Sequence, residues 1–212
     1  MLLLVVLLLV GSSMYFGFTG TPWGKNQFKN IANEYIQNNF RNLDVSKHTV
    51  LFHFKESDYY SVISLKNGVT FKISRVDEEI FDDYISATLA YEINTEVQAA
   101  VKDIFDENGQ SVVDIVGNFA GISNFTEPRF IELKDKLNKD YSKILIHTNS
   151  DLLSNETTYR KVFQLLQKLK YKEYLFKLVF FDKNNSSKII VDHDNINDIN
   201  SLEDLKSILK FN

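Results

Sequence analysis

Leu and Val fill almost every position from Met1 to Val10. The apolar run continues through Gly11, Ser12, Ser13, Met14, Tyr15, Phe16, Gly17 and Phe18, with no charge before Lys25. As a helix, Met1 to Phe18 would be about 27 Å long, near the thickness of a bilayer's hydrocarbon core. The run predicts an N-terminal membrane helix over residues 1–20, an uncleaved signal anchor in preference to a cleaved signal. No Lys or Arg flanks its N-terminal end, so charge asymmetry does not set an orientation.

Behind it the pattern becomes helical. Thr21 can cap and Pro22 suits the first helical position. Phe28, Ile31, Ala32, Tyr35, Ile36 and Phe40 then recur on one stripe, opposite Lys25, Lys29, Asn30, Gln37 and Asn38. Alternation follows. Val50, Phe52 and Phe54 oppose Leu51, His53 and Lys55; Tyr60 and Val62 oppose Ile63 and Leu65; Val69, Phe71 and Ile73 oppose Thr70, Lys72 and Ser74. With Asn67-Gly68 as a two-residue hairpin signal, this predicts an antiparallel meander with one apolar face. Ile80, Phe81 and Tyr84 fit a helical turn or a short strand. Leu89, Ile93, Val97, Val101, Ile104 and Phe105 predict a long helix from about Ile85, stopped at Asn108-Gly109.

Residues Gln110 to Pro128 read as irregular, with a loop at Gly117–Gly121, and a helix is expected after Pro128, to Asn138. Lys143 to His147 reads as a strand. A helix begins at Ser154 or Asn155 and runs to Lys170, with Tyr159, Val162, Phe163, Leu166 and Leu169 inward. Tyr174 to Phe181 is a buried strand, turning through Asp182 to Ser187 into Lys188–Val191. Ser201-Leu202-Glu203-Asp204 reads as a cap with acidic first-turn residues. The expectation is an α+β protein: an anchor over 1–20, a helix-and-antiparallel-sheet domain over 21–109, a connector with a helix over 110–140, and a second small β-α-β-β-α domain over 141–212.

The stretch Thr21-Pro22-Trp23-Gly24-Lys25, the aromatic-ended helix to Phe40, the turn from Phe54 to Tyr60 and Asp82-Asp83-Tyr84 together resemble the YfjL-like proteins, uncharacterised membrane-anchored proteins of Gram-positive bacteria. The resemblance covers roughly Met1 to Phe105. It implies a cystatin-like N-terminal domain, a helix cradled by an antiparallel sheet, and carries over no catalytic residues.

Composition narrows the chemistry. The 212 residues are 44% hydrophobic and 25% charged, typical of a folded chain, and 17 Phe and 10 Tyr promise an aromatic core. The net charge of −4 weighs against a nucleic-acid partner. With no cysteine, thiol catalysis, disulfides and cysteine-ligated metal are excluded. The histidines, His48, His53, His147 and His193, form no HExxH motif or local cluster, and there is no G-x-S-x-G. His53 reads as a polar residue on a wet strand face, and Asp82-Asp83 and Glu78-Glu79 as wet-face carboxylates. From Asp192, oxygen ligands fall at loop positions one, three, nine and twelve, ending on Glu203. Ile196 and Asn197 occupy positions that an EF-hand reserves for a ligand and for Gly. A polar connection is therefore expected there, not a metal site.

No catalytic, cofactor-binding or metal residues are assigned. The functional expectation is a non-catalytic, extracytoplasmic binding or scaffolding protein at the cell membrane, contacting an envelope protein or wall polymer. The rival is a hydrolase or lyase assembled around His147 and Asp192 to Asp194. A third reading is an intracellular protein whose N-terminus packs into its own core.

Overall fold

The computed structural model describes residues 2–40, 42–105, 109–117, 119, 129–148, 156–174, 176–184 and 188–209, with side chains of the first helix described from Val10 onward. Two compact units emerge. One is carried by residues up to Thr88, the other by the described residues from Leu89 onward.

In the first unit α1 (Leu2–Thr19) leads into α2 (Pro22–Asn39). Gly20, at φ 70°, turns the chain between them. Thr21 caps α2, its hydroxyl accepting the Gly24 N–H at 3.1 Å, and Pro22 occupies the first turn, where no N–H is needed. The sheet is an antiparallel meander in the order β1 (Val45–His53), β2 (Asp58–Leu65), β3 (Thr70–Val76) and β4 (Glu79–Asp82). Register puts His48, Val50 and Phe52 on the same face as Ser61, Ile63, Phe71 and Ile73. Phe28 and Ala32 of α2 are buried in the same core as Ile63, Leu65, Val69, Phe71 and Ile73, with Tyr84 completing it. Burial of each large apolar side chain contributes about 1.5–3 kcal/mol, so this layer holds the unit together.

Two hairpins differ in their chemistry. At Asn67-Gly68 only Gly68 takes positive φ, 97°. Leu65 N–H bonds to Val69 C=O and the Asn67 side chain accepts the Val69 N–H, so the loop has three residues with Gly in the left-handed position, not the expected two. The β3–β4 turn is the two-residue one. Asp77 and Glu78 link Val76 to its partner Glu79, at φ 48° and 69°, without a glycine.

The second unit contains the remainder of α3 (Tyr84–Phe105), from Leu89 on, then β5 (Gln110–Asp114), α4 (Phe130–Leu133) and a 3-10 turn at Lys134–Lys136. It continues with β6 (Lys143–His147), α5 (Glu156–Tyr171), β7 (Lys177–Phe181), β8 (Lys188–Val191), α6 (His193–Ile196) and α7 (Leu202–Leu209). Its sheet runs β5-β6-β7-β8. β6 and β7 are parallel, with α5 between them in the chain, and the two outer pairs are antiparallel. One sheet face supplies Val113, Ile144, Ile146, Leu178, Phe180, Ile189 and Val191 to a core shared with Leu89, Ile93, Val97 and Val101 of α3 and Val162, Leu165, Leu166 and Leu169 of α5. Ser111 lies at a core position on β5. Its N–H and hydroxyl reach Gln98 Oε1 at 2.6 and 3.0 Å, and Gln98 donates to Gly109 C=O at 2.7 Å.

Three expectations need correction. Among the described residues no helix is long and apolar enough to cross a membrane. An 18-residue α1 spans about 27 Å, at the lower limit for a bilayer core. From Val10 on, Gly11, Ser12, Ser13, Gly17 and Thr19 dilute its apolar residues. Its aromatics also engage the domain, Phe18 against Phe54 and Phe16 against Trp23. The transmembrane helix, the signal anchor, the single-pass cell-membrane placement with an extracytoplasmic portion, and the membrane as a partner do not stand. Nor does the cystatin-like description, since the first sheet is an open four-strand meander. What holds is an α+β fold with two sheet-and-helix regions. Lastly, the helix expected after Pro128, to Asn138, is one short turn plus a 3-10 turn, because Leu137 leaves it to bridge to Gly117.

Several expectations fall outside the described residues: Asn108 in the helix stop, Gly121 in the Gly117–Gly121 loop, the helix start at Ser154 or Asn155, and residues 185–187 in the β7–β8 turn.

Candidate functional site

The rival catalytic reading depended on His147 meeting Asp192 to Asp194. Parallel pairing sets His147 opposite Phe181, at the end where β6 and β7 finish, and the His147 ring stacks on Phe181 with centroids 4.7 Å apart. Asp192 follows Val191, whose partner is Leu178 near the start of β7, and it pairs with Lys177 at 3.0 Å. The two groups therefore lie at opposite ends of the sheet, roughly four residues or ~13 Å apart along the strand direction. Asp194 instead meets the His193 imidazole at 3.0 Å, with Asp140 at 3.5 Å from the same nitrogen. The segment after Asp192 forms the short helix α6, in which Ile196 is buried. Among the described residues no group of three or more His, Asp or Glu side chains is placed to hold a metal ion.

The structure does assemble a nucleophile–base line that the sequence reading missed. His48 Nε2 lies 2.9 Å from Ser61 Oγ, and His48 Nδ1 lies 3.0 Å from Asn33 Oδ1. Asn33 comes from α2, His48 from β1 and Ser61 from β2. The tautomer that satisfies both contacts donates from Nδ1 to Asn33 and accepts the Ser61 hydroxyl at Nε2. Burial, and then the nearby Lys29 ammonium, push the His48 pKa below its ordinary value. The signal was available: His48 shares the parity of Val50 and Phe52, and Ser61 that of Ile63 and Leu65, so both are polar residues on a core face. The arrangement has the order of a hydrolase triad. Yet Ser61 is 0% exposed, beneath α2, so no acyl carbonyl can reach its oxygen. The line acts as a hydrogen-bonded clasp between helix and sheet. His53 lies on the other face, half-exposed beside Glu56.

Asp82 is similarly structural, not a wet-face carboxylate. It accepts the Tyr35 hydroxyl at 2.7 Å and the Tyr84 N–H at 2.9 Å, linking α2, β4 and the start of α3. Burial and the adjacent Asp82 carboxylate raise the Tyr35 pKa well above its ordinary value.

In the second unit a concavity of about 380 Å³ opens between α3 and α5. Its walls are Val97, Ala100, Leu169, Tyr171 and Tyr174, with Glu96, Gln167, Lys168 and Lys172 around them. A second hollow of about 440 Å³ continues along the same two helices, sharing Gln167 and Lys168. The groove is edged by two ion pairs, Lys172–Glu96 at 3.0 Å and Lys168–Asp103 at 2.6 Å. Burial, followed by the Glu96 carboxylate, raises the Tyr174 phenol above its usual range. The described lining of the first hollow has neither serine nor histidine, so the geometry suits binding and offers no Ser–His chemistry. A more polar and open hollow of about 510 Å³ surrounds Lys136, Lys139, Asp140 and His193.

No family model, no curated protein and no solved structure matches the chain.

Proposed function

We propose that this chain is a non-catalytic binding or scaffolding protein whose contact surface is the α3–α5 groove of the second unit. One observation carries the reading. Ser61, which forms the nucleophile–base pair with His48, is fully buried beneath α2, whereas an accessible apolar concavity lies elsewhere and holds no such pair among its described lining residues. Its size and its apolar walls with a few polar groups at the edge are those of ligand and partner sites. The resemblance to the YfjL-like proteins belongs to the same proposal and adds no catalytic residue to it.

The test has two arms. A fluorophosphonate should leave Ser61 unlabelled, and an activated ester should not turn over above the buffer rate. The apolar dye anilinonaphthalene sulfonate should bind the native chain, and Ala100→Trp, which fills the groove, should abolish that binding. Covalent labelling of Ser61 would overturn the non-catalytic reading and make the Asn33–His48–Ser61 line a reactive site. Dye binding unaffected by Ala100→Trp would remove the groove.

A further inference from the structure

We infer that the occupant of the α3–α5 groove is a second copy of this chain, paired about a two-fold axis that runs along the groove. The inference rests on the reading of that groove as a contact surface and adds the partner. Three features of one surface support it.

First, the surface carries both a hole and a knob. The hollow between Val97, Ala100 and Leu169 is apolar, and at its mouth Tyr171 is 87% exposed, a large ring with little to cover it. Second, the charges are sorted by helix. α3 contributes Glu96 and Asp103 to the groove, and α5 contributes Lys161 and Lys168, with Lys172 just past its end. Third, the charges are in register. The pairs Lys172–Glu96 and Lys168–Asp103 show that the helices run antiparallel, with 96 near 172 and 103 near 168.

A two-fold axis along the helices keeps every residue at its own level and sets α3 of one copy over α5 of the other. Glu96 then faces Lys172 of the second copy, Asp103 faces Lys168, and Tyr171 comes down opposite Val97 and Ala100. An in-plane axis across the helices would instead set α3 on α3 and α5 on α5, carboxylate on carboxylate and ammonium on ammonium. The charge pattern therefore selects one pairing and rejects the other. The contact is two helices wide, so association is expected to be weak and dependent on concentration.

Sedimentation velocity on the full chain, from low micromolar to about 1 mM, tests this. The weight-average mass should climb from that of the monomer toward twice that value. Tyr171→Ala, a change at an exposed side chain, should hold the chain monomeric across the range, and Lys168→Glu should do the same. The exchanged double variant Asp103→Lys with Lys168→Asp keeps the ion pair within each chain and between identical copies. It should self-associate but fail to mix with the parent, because parent and variant then set like charges face to face. A chain that is monomeric throughout, a Tyr171→Ala variant that associates like the parent, or free mixing of the exchanged variant with the parent would overturn the pairing. A monomer that still binds the apolar dye in an Ala100-dependent way overturns the pairing and leaves the binding reading standing. Loss of both removes both.

Discussion

Gly24 lies so close to Tyr59 that a β-carbon on it would overlap the phenol ring and its hydroxyl. The same hydroxyl accepts the Thr21 N–H at 2.7 Å, so the Tyr59 side chain of β2 is pinned under the first turn of α2. Gly24→Ala should therefore destabilise the first unit by about 1–3 kcal/mol, the range for overpacking a closed site. Trp23, the chain's single tryptophan, reports on this unit by fluorescence in a denaturant titration. An unchanged midpoint would mean that the tyrosine has room to move aside.

The Asp77-Glu78 turn holds two non-glycine residues at positive φ. Glu78→Gly should relieve that conformation and raise stability by about 0.5–1 kcal/mol, since the gain from unstrained φ exceeds the added freedom of the unfolded chain. The midpoint of the same titration should move upward; a downward shift would show that the Glu78 side chain does more than occupy the turn.

His48 sets a pH dependence. Its folded pKa lies below the ordinary 6.5, so the unfolded chain takes up the proton first. The first unit should keep its full stability above about pH 6.5 and lose it progressively as pH falls toward the folded pKa, with no further loss from this group below that. His48→Asn should flatten this slope while lowering stability at neutral pH. A parent slope that persists in the variant would assign the effect to other groups.

Tyr35→Phe removes the hydroxyl that Asp82 accepts at 2.7 Å. The expected cost is about 1–2 kcal/mol, reduced because Asp82 keeps the Tyr84 N–H. Hydrogen exchange at the Tyr84 amide provides a local readout, and it should quicken in the variant if the link between helix and sheet is broken there.

The legible parts of this fold are those whose signal is local. Alternation located β1 to β3, and helical spacing located α2, α3 and α5, because in each case one face is buried and the period shows. The pattern leaves β4 open between a short strand and a helical turn, since its hairpin uses Asp77-Glu78 where a glycine would announce it. β5 was not found. It is five residues long, its core-facing Ser111 is polar and is satisfied by Gln98, and its outward Val112 is 52% exposed, so polarity and burial are decoupled. Its partner β6 comes some thirty residues later, too far for a turn to mark the pairing. The Asn33–His48–Ser61 line depends on strand register and helix placement together, which no single window of sequence displays. The apolar start of the chain misled because hydropathy alone records neither where a helix ends nor which rings its aromatics meet.

The two sheets also differ in how far apart along the chain their partners lie. In the first, each strand pairs with its immediate successor, across loops of a few residues. In the second, β6 waits for β7 across the whole of α5, and β5 waits for β6 across α4. Closing long loops before any contact rewards them slows folding. During synthesis the meander can form as soon as Asp82 has emerged, while the mixed sheet must wait for Val191. Between those moments the apolar faces of α3 and α5 are exposed without their strands, and this interval is when the nascent chain most depends on protection from aggregation.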